Sequence, residues 1–379
     1  MSEWKTYKLS ELVEIKYGKD HKHLADGKIP LYGSGGIMRY VDTPLYEQES
    51  ILIPRKGTLS NLFYLNIPFW SVDTMFYTKI KEGNNGKYLY YLLKSMDLAS
   101  MNVGSAVPSL TTEVLNKVEI NVPDEATQQE IAQILTSLDD KIELNLQMNE
   151  TLEAMAQTLF KEWFVNFNFP NFDGVMENGL PKGWRMGMLN EIINFIVDNR
   201  GKTPITLIEK ENNYPLIEVN SLINSRVVTQ QHLAKKYVDE ETYNNWFRKG
   251  HPQKGDVLFS TVGSIGEIAL VFDEKFCIAQ NIIALRSIFS GSFLFFTLKN
   301  IKQSLLSLDI SSVQPSIKVP HLLKSEILIP TSEIIKSYEK SILPIVEKIN
   351  ENSIQIQTLT QTRDALLPKL MSGKIELKN

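Results

Sequence analysis

One long apolar seam occurs twice in this chain, 207 residues apart. In the segment 125–164, Ile131, Leu135, Leu138, Ile142, Asn145, Asn149, Leu152, Ala156, Leu159 and Trp163 advance by alternating steps of four and three. In the segment 332–371, Tyr338, Ile342, Ile345, Ile349, Asn352, Ile356, Leu359, Arg363, Leu366 and Leu370 keep the same steps. A sustained 4-3 alternation holds one face of a helix toward a partner helix, the pattern of a coiled coil. Two such helices, each preceded by a globular stretch, describe a duplicated module with a two-helix spacer. That design suits a molecule that touches two places a fixed distance apart. At ~1.5 Å per residue, about 38 helical residues make a rod of about 57 Å.

The globular parts repeat as well. Pro108, Ser109, Leu115, Ile120 and Pro123 fall on Pro315, Ser316, Leu322, Ile327 and Pro330, again at an offset of 207. The stretch 50–61 sits against 256–267 at an offset of 206, and Trp4 and Leu9 against Trp184 and Leu189 at 180. The offset grows between the starts and the middles, so the second copy carries extra loop residues. Matching ends with divergent middles indicate one scaffold bearing different surface loops.

The spacing of strand-like and helical patterns gives an α+β chain. Residues 1–124 and 184–330 are the mixed globular copies, 125–166 and 331–371 the long helices, 167–183 a linker and 372–379 a tail. Thr127-x-x-Glu130 offers a capping box for the first long helix. Pro344 is expected to kink or restart the second. If the helices pack antiparallel about a central pseudo-twofold, Asn149 faces Asn352. That pair either fixes register or marks a loosened seam. Arg363 within the seam suggests that one end of the coil is wet or meets another chain.

Composition excludes several classes. No apolar run approaches the ~18–20 residues needed to cross a bilayer. The N-terminal stretch has no signal-peptide core, and the single cysteine, Cys277, rules out an internal disulfide. A cytoplasmic location is the expectation. The net charge of −4 looks unsuited to nucleic acid, but residues 125–170 hold 2 basic and 8 acidic side chains. The acidity therefore lies on the first long helix and the globular copies are close to neutral, free to present local basic faces. Such weak basicity implies that a partner supplies part of any grip on phosphate.

Traces of catalysis are sparse. There is no phosphate-binding G-x-x-x-x-G-K-[ST] loop, no H-E-x-x-H, and no Asn or Asp followed by two prolines and an aromatic, the signature of an amino-methyltransferase. The glycines at 33–36 lack dinucleotide-binding spacing and are expected in a turn. His21-x-His23 has no completing ligand set, and Cys277 belongs to an apolar core strand.

What remains is polar, loop-borne and duplicated. The first copy offers Arg39, Arg55, Lys56, Ser60, Asn61 and Ser105. The second offers Arg200, Lys202, Thr203, Thr261, Ser264, Gln280, Asn281, Gln314, Ser316 and Lys318. These side-chain types read base edges or hold phosphates.

Two stretches then carry a family resemblance. "LEAMAQTLFKEWFVNF" at 152–167 with "GLPKGW" at 179–184, and "RDALLPKLMSGKIEL" at 363–377, resemble the central and C-terminal regions of the specificity subunit of type I restriction-modification systems. "NRGKTP" at 199–204 and "GDVLFSTVGSIG" at 255–266 look like its target-recognition domains. The resemblance implies two such domains, each reading half of a bipartite, asymmetric site in double-stranded DNA, with two antiparallel helices setting the gap. It implies a non-catalytic chain with no cofactor of its own and no membrane contact. Two modification subunits would carry S-adenosylmethionine and methylate adenine, and restriction subunits that translocate DNA would use ATP and magnesium. Family helices often open on Pro-Pro and Glu-Gln. Here only Thr127, Gln128, Gln129 and Glu130 partly match, which leaves the exact partner contacts open. A self-contained DNA methyltransferase or endonuclease, or a coiled-coil scaffold without a nucleic-acid role, are the competing readings.

Overall fold

The computed structural model describes residues 4–375 other than 105–106, 200, 202, 223–226, 228–230 and 310–313, and the side chain of residue 232. It divides into two compact units, 1–142 with 358–379, and 143–357. Each unit therefore combines one β-rich domain with part of both long helices.

In the first domain, β1 (Lys5–Lys8) leads through the single turn α1 (Leu9–Leu12) into β2 (Val13–Tyr17). There follow β3 (Asp26–Gly33), β4 (Gly36–Val41), β5 (Ser50–Pro54), β6 (Phe63–Leu65), β7 (Trp70–Ser71) and β8 (Met75–Ile80). Then come α2 (Gly86–Ser95), α3 (Thr112–Asn116) and β9 (Glu119–Val122), which pairs antiparallel with β1. The sheets run β2-β8-β5-β6 and β4-β3-β7. The glycines at 33–36 close the β3–β4 hairpin, as expected, with Gly36 at φ 112°. Asn85 caps α2 by accepting from the Tyr88 N–H at 2.9 Å.

The first long helix is α4 (Glu125–Phe164). Its cap differs from the Thr127 box. Asp124 accepts from the Thr127 N–H at 2.9 Å, so the aspartate directly after Pro123 is the N-cap. Those hydrogen bonds hold the Asp124 carboxyl below its ordinary range.

The stretch 167–183 is not a bare linker. β10 (Met176–Glu177) and β11 (Leu180–Pro181) form a small hairpin. Its two-residue turn places Asn178 at φ 53° and Gly179 at φ 80°. Asn-Gly is the sequence that such a turn selects, because both central residues need positive φ. Phe169 stacks on Trp184 with ring centroids 5.0 Å apart.

The second domain repeats the first. It has β12 (Arg185–Met188), β13 (Ile193–Val197), β14 (Tyr214–Ile217), β15 (Lys236–Val238), α5 (Glu240–Asn245), β16 (Val257–Ser260) and β17 (Ile268–Leu270). Next are β18 (Cys277–Ile278), β19 (Ile282–Ser287), α6 (Gly291–Asn300), α7 (Lys302–Leu306), α8 (Val319–Leu322), β20 (Glu326–Ile329) and the second long helix α9 (Ser332–Met371). The orders β13-β19-β16-β17 and β15-β14-β18 reproduce those of the first domain. β12 pairs with β20 as β1 pairs with β9, residue for residue. Cys277 is buried in the core, which pushes its thiol up to about 12.

The two long helices are antiparallel and in contact, and all the seam residues are buried or half-buried. Ile131 and Leu135 join the first core with Leu370, while Ala156, Trp163, Ile342 and Ile349 join the second. The half-buried seam residues are Leu138, Ile142, Leu152, Leu159, Ile345, Ile356, Leu359, Arg363 and Leu366. α9 continues through Pro344 without a restart. Arg363 is paired within the chain. Its Nη1 donates to Asp139 Oδ1 at 2.7 Å, while Tyr91 donates to the other carboxylate oxygen at 2.6 Å.

At the middle of the seam the expected pair is present. Asn352 Nδ2 donates to Asn149 Oδ1 at 2.9 Å, and both residues are buried. Asn145 adds a bond to Gln355 at 2.7 Å. The buried amides fix the axial register that a purely apolar seam leaves loose. Asn149→Leu alone should destabilise the chain by about 1–3 kcal/mol, because it strands the Asn352 amide. Asn149→Leu with Asn352→Leu should recover that loss, since both partners are then apolar. Urea unfolding of the three variants checks this, and a double variant as weak as the single one would contradict it.

Candidate nucleic-acid interface

In each domain several of the polar residues lie on or beside one backbone arrangement, built twice. Arg55 N–H donates to Thr74 O at 2.8 Å, and its counterpart Thr261 N–H donates to Asn281 O at 2.8 Å. Gly57 N–H donates to Pro108 O at 3.0 Å, as Gly263 N–H does to Pro315 O at 3.0 Å. Leu110 returns a bond to Arg55 O at 2.9 Å, as Ile317 does to Thr261 O at 2.9 Å. Lys56 bridges Ser109, and Val262 bridges Ser316. A side-chain oxygen then accepts from each serine N–H, Asn102 for Ser109 at 2.8 Å and Asp309 for Ser316 at 2.9 Å.

These bonds explain the choice of residues. Gly57 and Gly263 turn with φ of 92° and 84°, in the left-handed region that a side chain resists. Pro108 and Pro315 have no N–H to donate and serve as acceptors. Three segments converge as a result: the loop after β5 or β16, the turn before β8 or β19, and the strand-like stretch before α3 or α8. Side chains are free to differ on this frame because backbone bonds hold it.

The candidate residues divide by what they touch. Lys56, Ser60, Ser264, Gln280 and Lys318 are exposed, and Asn281 and Ser316 half-exposed, on or beside the converging segments. Gln314 is exposed one residue before Pro315. Arg55 lies partly over the Tyr17 ring at 5.3 Å and donates to Asp73 O at 3.1 Å. Asn61 donates to Ser34 O at 2.8 Å, tying the β3–β4 turn to the loop after β5. Thr261 is buried and its hydroxyl donates to Asn281 O at 3.2 Å, so it holds the loop from beneath and does not face solvent. Arg39 is a clamp within the first domain. It donates to His21 O at 2.8 Å and Leu24 O at 3.1 Å and pairs with Asp26. Thr203 is exposed on the loop after β13, with no bond to the converging segments among the described residues. Ser105, Arg200 and Lys202 lie outside the described residues.

Sequence reasoning missed Asp73 and Thr74, the counterparts of Gln280 and Asn281, and the braces Asn102 and Asp309. The stretch 69–80 reads as one strand, yet it is β7, a turn and β8. A signal was present in the offset: 73 and 74 shifted by 207 give 280 and 281.

Among the described residues no group of His, Cys, Asp and Glu is placed to hold a metal ion. No helix among them is long and apolar enough to cross a membrane. The exposed side chains Lys56, Ser60, Ser264, Gln280 and Lys318 put hydrogen-bonding groups and local positive charge on a fixed backbone, which suits recognition of a polar, anionic surface.

Comparison with known proteins agrees. The type I restriction modification DNA specificity domain matches residues 1–154 and 181–364. The MjaIX specificity subunit of Methanocaldococcus jannaschii is 28% identical over 312 residues, covering 79% of this chain and 71% of that protein. The HindI specificity subunit of Haemophilus influenzae is 28% identical over 335 residues, covering 71% of each. The crystal structure of a type I restriction-modification S subunit from M. genitalium superposes with a TM-score of 0.68 at 17% identity, over 100% of this chain and 97% of that one. That structure shares the fold of two β-rich domains and long antiparallel helices. With the duplicated domains, the paired helices and the family match together, the chain belongs to the type I restriction-modification DNA specificity family, as the non-catalytic specificity subunit.

Proposed function

We propose that the chain reads a bipartite, asymmetric site in double-stranded DNA, one half through each β-rich domain, with α4 and α9 setting the gap. It then directs modification and restriction subunits to that site in the cytoplasm. The observation that carries this is the doubled backbone frame bearing different side chains: similar docking on two different half-sequences. Two modification subunits bring S-adenosylmethionine for adenine methylation, and restriction subunits bring ATP and magnesium. The near-neutral globular domains leave part of the phosphate contact to these partners.

Selection of the full chain, with its modification subunits, from randomised duplex DNA tests the reading. The expected product is a motif of two short defined blocks separated by a fixed undefined gap. Recovery of no motif would favour the scaffold reading. Lys56 and Lys318 are donors only and suit phosphates. Lys318→Ala should weaken binding to every duplex and lower the salt slope by about one. A loss confined to the selected motif would assign the lysine to base reading instead.

A further inference from the structure

The turn before β8, and its copy before β19, places one side chain in the same position in each domain. Met75 N–H donates to Val72 O at 2.9 Å, and Ile282 N–H donates to Ala279 O at 3.0 Å. Each bond closes a four-residue turn, with Asp73 and Thr74 central in one and Gln280 and Asn281 central in the other. Both turns are pinned at the same two further points. Val72 N–H reaches Tyr32 O at 3.0 Å and Ala279 N–H reaches Ile217 O at 2.9 Å. Thr74 O and Asn281 O hold the adjacent loops through Arg55 and Thr261. The first central residue of each turn, Asp73 or Gln280, is exposed, and its side chain makes no hydrogen bond or ion pair among the described residues. A rigid turn holding an unspent polar side chain beside the converging loops has its energetic cost of ordering already met.

We propose that this turn position is a base-reading position in both domains, and that Asp73 is the specificity determinant in the first. A carboxylate only accepts hydrogen bonds, so Asp73 selects a base that presents an exocyclic amino group in the major groove, cytosine above all. Gln280 both donates and accepts, so it selects adenine through two bonds. The Arg55 guanidinium on the Asp73 carbonyl offsets the repulsion between this carboxylate and nearby phosphates. The inference rests on the DNA-reading role and assigns part of it to one side chain per domain.

The test is motif selection with the full complex carrying Asp73→Asn or Gln280→Glu. Both changes keep side-chain size and lie on exposed turns, and thermal unfolding of each variant verifies that the fold is kept. Asp73→Asn should change the preferred base at one position of one block, away from cytosine and toward adenine, with a discrimination change of about ten- to a hundredfold. Gln280→Glu should change one position of the other block only. If the natural complex selects no motif, the DNA-reading role itself fails. If it selects a motif that both variants reproduce unchanged, or both merely bind all duplexes less well, the base-reading assignment is overturned.

Discussion

Adding seven residues after Asn149 and seven before Asn352 should move the recognised half-sites apart by about three base pairs. Seven residues keep the 4-3 alternation, so the seam continues in phase. Both insertions lie on the same side of the Asn149–Asn352 bond, so that pair and the Asn145–Gln355 bond survive. Each helix lengthens by about 10.5 Å at ~1.5 Å per residue. At ~3.4 Å per base pair, that is about three base pairs of added gap. On the original site one domain then loses its half-sequence, and affinity should fall toward the non-specific level, about a thousandfold or more below specific binding. Motif selection on the lengthened complex reads the result directly. A stable lengthened protein that still selects the original gap would show that the helices do not set spacing. Insertion into α4 alone is a poorer test, because it slips one half of the seam against the other.

Sequence reading reached the architecture because its signals are periodic. Ten seam positions per helix at a fixed offset determine which face is buried, and the contact between Asn149 and Asn352 follows once the two seams are set antiparallel about a central pseudo-twofold. Local features resolved less well. Asp124 outcompetes Thr127 as the cap because either carries an oxygen at usable spacing, and only the backbone decides. The Asn178-Gly179 turn was readable in principle but sits in a stretch whose strands are two residues long, too short for a period. Pro344 removes one N–H from α9, a loss that forty residues of packed helix tolerate. The recognition surface was legible by residue type and not by orientation. Thr261, exposed by sequence logic, is buried because its carbonyl and hydroxyl both serve the loop. Asp73 escaped notice because a carboxylate looks wrong for DNA, and because a three-residue interruption splits an apparent strand around it.

The largest effect on stability is expected at Tyr338, where α9 enters the second core. The residue is 0% exposed. Its ring meets Phe164 edge-on at 4.9 Å, Trp163 at 5.7 Å and Phe160 at 6.1 Å. These three neighbours all lie in the last turns of α4, so Tyr338 joins one long helix to the other. Phe164 in turn contacts Phe293 of α6 at 5.1 Å, which extends the cluster into the β-rich domain. Tyr338→Ala should cost about 3–5 kcal/mol, from lost transfer energy and the cavity left behind. Against a typical ~5–15 kcal/mol for a whole domain, that removes a large share of the stability. The hydroxyl has no hydrogen-bond partner among the described residues. Tyr338→Phe therefore keeps the packing and sheds a buried polar group, and should match or exceed the natural stability. Thermal and urea unfolding of the two variants separate the contributions. A Tyr338→Phe variant as unstable as Tyr338→Ala would mean that the hydroxyl, and not the ring, holds α9 against α4.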